Sequence, residues 1–309
     1  MVPNMDLSII IPTYNRNDIL YKHLAIAYTE LKDIHYEIIV VNDFKTNNVY
    51  IPVEWQNRIA VYDNPKQGVA SARNYGASLA KADFLLFIDD DVILNRMAVL
   101  NALEFLSTNK GMCLNVDWIY PKELTTKLDT YQFGRYLEHF DFTSLKGWMG
   151  KDFAWQQNAL FKTTSAASYF LAIAKTDFEK SGRYDENFPF AGFEDHDFAT
   201  RLETSGICTY LDTRVLVWHN EEDRVQIDGW MQRKYRGGQT RKVAVTMGHK
   251  ELALDFDNLK GKVYYTISKT EFIFNTILKL IPNHKIFDPL YFKIVNILLG
   301  VNLYKGYTK

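Results

Sequence analysis

The run Phe84-Leu85-Leu86-Phe87-Ile88 ends on three consecutive aspartates, Asp89, Asp90 and Asp91. A short apolar run of this kind reads as a strand buried on both faces of a parallel sheet. Ligands of open α/β sheets collect at the carboxyl ends of such strands. Adjacent like charges repel, and burial makes this worse unless a cation neutralises them. Hard divalent ions such as Mg²⁺ and Mn²⁺ take carboxylate oxygens and bridge protein to nucleotide phosphates. The plain alternative is a solvated acidic turn after a strand.

The rest of the first 110 residues alternates strand and helix. Leu7–Pro12 reads as a strand running into Thr13-Tyr14-Asn15-Arg16, and Leu20, Leu24, Ala27, Tyr28 and Leu31 keep helical spacing. Glu37–Val41 and Ile59–Tyr62 are further apolar runs; Val69–Ala82 is Ala-rich and helical, and Ala98–Leu106 suggests another helix. Such alternation implies α/β architecture, a mostly parallel sheet with right-handed crossovers. From 111 to 228 the pattern loosens into a helix over 122–140, a loop rich in Gly and aromatics at 146–155, a strand through Ser168–Ala174, an acidic segment at 185–203 and a strand at Arg214–Trp218.

Charge divides the chain. Of 36 Lys and Arg against 37 Asp and Glu, residues 1–228 hold 22 and 32, a balance of −10, and residues 229–309 hold 14 and 5, a balance of +9. This places a domain at 1–228, with halves 1–110 and 111–228, ahead of a basic, aromatic-rich helical tail at 229–309. Lys269, Glu271, Lys279, Asp288 and Lys293 interrupt the tail's two apolar stretches, 262–281 and 286–304, so neither predicts a transmembrane span. Lysines mixed with Phe, Tyr, Leu and Ile suit instead peripheral attachment to the inner membrane face. The alternative is a helical subdomain packed on the catalytic domain or on a second subunit. No recognisable nucleic-acid-binding module accompanies the basic residues. Two cysteines, Cys113 and Cys208, fit a reducing compartment, and Met-Val-Pro-Asn-Met-Asp lacks the marks of a secretory signal, so a cytoplasmic location is expected.

Five pieces occur in order: Ser8-Ile-Ile-Ile-Pro-Thr-Tyr-Asn-Arg16, Val40-Val-Asn-Asp43, Gly68-Val-Ala-Ser-Ala-Arg-Asn-Tyr-Gly76, Asp89-Asp-Asp91 and Gly192-Phe-Glu-Asp-His-Asp197. Over roughly residues 5–220 the chain resembles a family-2 glycosyltransferase with the GT-A nucleotide-sugar fold. The resemblance implies an inverting, metal-dependent transfer from a nucleotide-diphosphate sugar, typically a UDP-sugar, to a glycan or lipid-linked acceptor in polysaccharide biosynthesis.

It also implies roles for residues. Asp43 would bond the nucleotide base, with Pro12, Thr13, Tyr14, Asn15 and Arg16 flanking the pocket and Asn42 standing where relatives often have a second Asp. Gly68 would allow close backbone approach, and Arg73 would meet phosphate or sugar oxygens, its alternative being a salt bridge. Asn74 reads as structural. Asp91 would ligate Mn²⁺ or Mg²⁺; Asp89, on the same side of an extended chain, would share the ion or bond the ribose, with Asp90 as the third member. His219 would complete the metal shell. Asp195 would be the general base and Glu194 an acceptor ligand, while Asp197 belongs with an acidic helix start. Ala167-Ser-Tyr-Phe-Leu-Ala172 lacks the small-Asn-small pattern of relatives, which leaves donor sugar and acceptor open. Trp148 and Trp155 could offer a stacking platform. The competing readings are a nucleotidyltransferase on a related fold, for which Pro12–Arg16 lacks the expected glycines, and a catalytically silent nucleotide-binding module.

Overall fold

The computed structural model describes residues 6–44 and 46–309. In chain order these form β1 (Leu7–Thr13), α1 (Asn17–Glu30), β2 (Tyr36–Asn42), β3 (Ile59–Asp63), α2 (Val69–Leu79), β4 (Phe84–Ile88), β5 (Val92–Ile93), α3 (Arg96–Thr108) and β6 (Met112–Ile119). Next come α4 (Lys122–Leu128), α5 (Gln132–His139), α6 (Leu145–Met149), β7 (Leu160–Thr163), β8 (Phe170–Ala174), α7 (Lys175–Lys180), α8 (Glu194–Thr204) and β9 (Cys208–His219). Four helices end the chain: α9 (Ile227–Thr246), α10 (Leu259–Lys269), α11 (Glu271–Leu280) and α12 (Asp288–Thr308).

Contacts divide the chain into two compact units. One takes the described residues up to Ile119 with Ala154–Asn187 and Glu194–Asn220; the other takes Tyr120–Phe153, Phe188–Phe193 and Glu221–Lys309. Where the sequence suggests one cut after residue 228, residues 120–153 and 188–193 therefore group with the C-terminal helices. Side chains within that second unit explain it. Arg135 of α5 donates two 2.7 Å bonds to Asp288 at the start of α12, and Tyr136 donates to Asn296 at 2.7 Å.

The first unit is built on one sheet in the order β3-β2-β1-β4-β8-β6-β9-β5, with β7 joined to β9. All seven residues of β1 and of β2 are buried, as a central strand covered on both faces requires. A mostly parallel sheet is what β3, β2, β1 and β4 make; beyond β4 the sheet becomes mixed, because β8 runs antiparallel to β4 and β6, and β9 antiparallel to β5 and β7. A parallel neighbour needs a long crossover, and the later strands come without the strict strand–helix alternation of the first half. Helix α2 lies close on β1: a Cβ on Gly76 would sit 2.5 Å from Ile10 Cγ2.

In the second unit the helix expected over 122–140 breaks between α4 and α5, where the Asp129 carbonyl accepts from Arg135 at 3.1 Å. The expected 146–155 loop begins as α6, capped by Ser144, which accepts the Gly147 N–H at 3.2 Å. Helices α9 and α12 cross backbone against backbone, since a Cβ on Gly238 would lie 2.5 Å from the Leu303 carbonyl oxygen and one on Gly306 1.9 Å from that of Tyr235. By length and composition Lys285–Thr308 is apolar enough to cross a membrane, contrary to expectation, but 44% of its apolar window is buried inside the protein. Ile294, Val295, Leu298, Leu299 and Val301 are buried, so within this unit α12 is a core helix.

Candidate active site

Strand order brings distant segments to one edge of the first unit. Thr13 ends β1, Asn42 ends β2 and Asp89 follows β4, three parallel strands whose carboxyl ends share a side. Because β8 runs antiparallel to β4 with Phe170 opposite Ile88, the residues just before β8 lie beside those just after β4. That register is what carries Ser168 toward the aspartates. Likewise β9 is antiparallel to β5 with His219 opposite Val92, and the Asn220 N–H donates to the Asp91 carbonyl at 2.7 Å.

The three aspartates take different surroundings. Asp91 is fully buried; its Oδ1 lies 2.9 Å from His219 Nε2 and its Oδ2 accepts from Arg16 at 2.9 Å. Asp90 accepts from Arg16 and, at 2.7 Å, from the Thr13 hydroxyl. Asp89, a third exposed, accepts from Arg73 at 3.1 Å. The backbone here is a turn and not the extended chain expected, the Val92 N–H donating to the Asp89 carbonyl at 3.1 Å, yet ligand atoms of Asp89, Asp91 and His219 all lie within 4.8 Å of one another. Two carboxylates and an imidazole fit a divalent ion that accepts oxygen and nitrogen donors.

Arg73 ties this corner to α8. Its guanidinium, 3% exposed, donates to Glu194 at 2.9 Å as well as to Asp89, stands 3.8 Å from Asp195 and lies over the Tyr184 ring at 5.3 Å. Burial opposes its charge, but the carboxylates of Asp195, Asp89 and Glu194 hold it firmly protonated. The geometry thus realises the salt-bridge alternative for Arg73 and does not suit a direct phosphate contact. It is equally unsuited to acceptor binding by Glu194, whose side chain is 1% exposed. Asp195 differs: 26% of its side chain faces solvent. Its carboxylate accepts from the Ser168 hydroxyl and, at 3.1 Å, from the Ser168 N–H. Desolvation and the neighbouring Glu194 push the Asp195 carboxyl up to about 7, against the opposing pull of Arg73 and Ser168.

At the end of β2, Asp43 accepts the Gly68 N–H on both oxygens, at 3.0 and 3.1 Å, and Asn64 Nδ2 at 2.7 Å. Gly68 has φ 124°, open to glycine alone among residues, and so presents its N–H to Asp43. Half-exposed Tyr14 meets Phe44 edge-on at 4.8 Å, and Asn15, at φ 53°, accepts from Asn47 at 2.9 Å. Pro12 is buried within β1, and Thr13 ends that strand buried against Asp90, a tertiary contact and not the local turn role expected as its alternative. Asn42 is occupied locally, donating to Asn47 O at 3.1 Å and Asp63 at 3.2 Å. Asn74 braces Tyr184 through its backbone at 2.9 and 3.0 Å, and Asp197 pairs with Arg201 at 2.7 Å, both structural as expected. Trp148 and Trp155 fall in different units.

Sequence reasoning missed three residues here. Ser168 holds Asp195; Tyr184 meets the Ser168 hydroxyl at 2.8 Å; Asp117, half-buried on β6, has its carboxyl pushed up to about 6 by desolvation. A serine, a tyrosine and one more acid carry no pattern of their own. Only the place of Ser168, at the departure from the small-Asn-small pattern, could have drawn notice.

A mixed sheet with carboxylates gathered at its strand ends is the architecture of the GT-A nucleotide-sugar transferases. Residues 8–178 match the profile "Glycosyl transferase family 2", and the chain belongs to that family. It is 24% identical over 307 residues to the chondroitin synthase of Escherichia coli, covering 92% of this chain and 42% of the relative. It is 26% identical over 241 residues to the hyaluronan synthase of Pasteurella multocida, covering 71% and 25%. An uncharacterised glycosyltransferase of Haemophilus influenzae is 32% identical over 115 residues, 37% of each chain. The chain thus spans less than half the length of these relatives. Among solved structures, the mannosyltransferase PcManGT of Pyrobaculum calidifontis, in complex with GDP-Man and Mn²⁺, superposes with TM-score 0.57 at 14% identity, covering 100% of this chain and 89% of the other. GalNAc-T7 with UDP, GalNAc and Mn²⁺ superposes with TM-score 0.52 at 14% identity, covering 69% and 43%. These likenesses bear on fold. Family membership sets aside the nucleotidyltransferase reading.

Proposed function

We propose that this glycosyltransferase works by inversion on a nucleotide-diphosphate sugar, a UDP-sugar by preference, with Asp195 as general base. The observation that carries the reading is Asp195 itself: partly open to solvent, held by Ser168, and raised to about 7, where a carboxylate base is matched to neutral pH. It takes the proton of an acceptor hydroxyl as that oxygen attacks the anomeric carbon; the carbon–oxygen bond to the diphosphate breaks on the opposite side. Ser168 aims the carboxylate, while Arg73 and Glu194 set its charge environment without touching substrate. Asp43 would receive a donor group of the base, since a carboxylate can accept more bonds than Gly68 and Asn64 supply. Tyr14 would flank it. Asp89, Asp91 and His219 would hold Mn²⁺ or Mg²⁺, which when bound stabilises charge on the leaving diphosphate.

The names of the synthase relatives support a glycan acceptor; a lipid-linked form of it and a place in the cytoplasm or at the inner face of the membrane are part of the same proposal. Membrane contact through 229–309 belongs to this reading. Thermal shift with UDP and GDP, each with and without Mn²⁺, on wild type and Asp91→Asn tests the site. Stabilisation by UDP that needs both Mn²⁺ and Asp91 is expected. A GDP response instead would redirect the donor, and no metal-dependent response to either would sink the metal site.

A further inference from the structure

Of the six cations of 229–250, which suggest a lipid-facing surface in the sequence, the three arginines meet partners within the second unit. Arg233 pairs with Glu221 and lies over Trp148 and Trp230; Arg236 lies over Phe190, and Arg241 over Phe193 while donating to Leu252 O at 2.6 Å. The unburied apolar side chains are elsewhere. On α11, Phe272 is 69% and Leu280 75% exposed, with Ile273 and Ile277 also exposed. These positions share one side of the helix. The opposite side faces the protein through buried Leu278, and Glu271 turns to Asn302 at 3.0 Å and Lys305 at 2.7 Å on α12. The turn after α11 adds Ile286, 73% exposed, and the first turn of α12 adds Leu290.

We propose that the outer side of α11 and the turn that follows form a docking surface for an anionic lipid membrane. The commitment to lipid comes from charge. Residues 259–287 contain Lys260, Lys262, Lys269, Lys279 and Lys285 against one acid, Glu271, which is directed inward. Lys269, Lys279 and Lys285 are exposed beside the apolar stripe, the last also meeting Asp129 at 3.0 Å. Lys269 is exposed and holds its ammonium over the Tyr265 ring at 5.2 Å, which keeps the charge at the surface beside an aromatic face. Large aliphatic and aromatic residues interleaved with lysine are the make-up of a helix lying in the headgroup layer, and isolated soluble chains rarely leave so large an apolar stripe uncovered.

This surface rests on the membrane contact proposed above and is independent of the transfer chemistry. The test is co-sedimentation of the full chain with phosphatidylcholine vesicles, with and without phosphatidylglycerol. The variants are Phe272→Ser with Leu280→Ser, and Lys269→Glu with Lys279→Glu; their melting temperatures should match wild type because every changed side chain is exposed. Wild type is expected to bind the anionic vesicles, each double variant at least about tenfold more weakly. The lysine variant should also lose the preference for phosphatidylglycerol. If wild type binds and both variants bind equally well, α11 is not the surface, though membrane contact survives. If wild type ignores vesicles, both ideas fall; self-association abolished by Phe272→Ser would assign the stripe to a second copy instead.

Discussion

The aspartate corner of the first unit and the 259–287 segment of the second handle charge in opposite ways. In the unit that holds the sheet, Asp90, Asp91, Arg73 and Glu194 are buried and bonded to one another's neighbourhoods, so each charge depends on a partner whose removal strands it. In the helical unit, most lysines of 259–287 stand in solvent next to apolar side chains that also stand in solvent. Buried charge is costly to unpair and cheap to keep paired; exposed charge is worth little to folding and is available for partners. The first arrangement builds a rigid, pKa-tuned site, and the second leaves a surface.

Substitutions sharpen that contrast. The largest effect is expected from Asp195→Asn, which removes the base but keeps shape: kcat should fall by about 10²–10⁴ with nucleotide binding retained, measured by donor turnover beside a UDP titration. An unchanged kcat would end its assignment as base. The wild-type rate should rise with pH through about 7, because the raised carboxyl must lose its proton to work. The same group's contribution to folding runs the other way. Its folded-state pKa lies above the ordinary value near about 4, so the stability it adds is full below that pH and lost as pH climbs to about 7.

Arg73→Met comes next. It leaves Glu194 buried without its cation, and urea unfolding should show a loss of about 3–5 kcal/mol; a loss under about 1 kcal/mol would mean the buried charges are not interdependent. Ser168→Ala is gentler. Without that hydroxyl the Asp195 carboxyl rises further, so the acidic limb of kcat/KM should move up while the rate at high pH persists. A limb that moves down would break the link between Ser168 and the base. The smallest effect belongs to the helical unit: Lys279→Ala should change stability by no more than about 0.5 kcal/mol, read in the same urea experiment, and a larger cost would erase the contrast between the units.

Much of this was legible before any coordinates. Strands β1, β2 and β4 follow directly from mostly apolar runs, because strands covered on both faces favour apolar side chains; β3 reads from a shorter run at the sheet's edge, and the aspartates at the end of β4 announce themselves by charge. The break in 122–140 was not legible, since Arg135 reaches Asp129 and Asp288 only after α5 and α12 have packed.

What the sequence by itself determined is therefore the local: apolar runs, acidic strand ends, and the order of family motifs from Ser8 to Asp197. Tertiary structure decided which acids are buried in ion pairs and which stay partly open to solvent. Glu194 and Asp195 are adjacent in sequence and equal in charge, yet Arg73 buries the first while the β8 register sets Ser168 against the second. The same holds for the basic tail, where packing against Phe190, Phe193 and Trp230 withdrew the arginines and left the α11 stripe outward. A residue's charge is written in the chain, but its solvation and its partners exist only once distant segments meet.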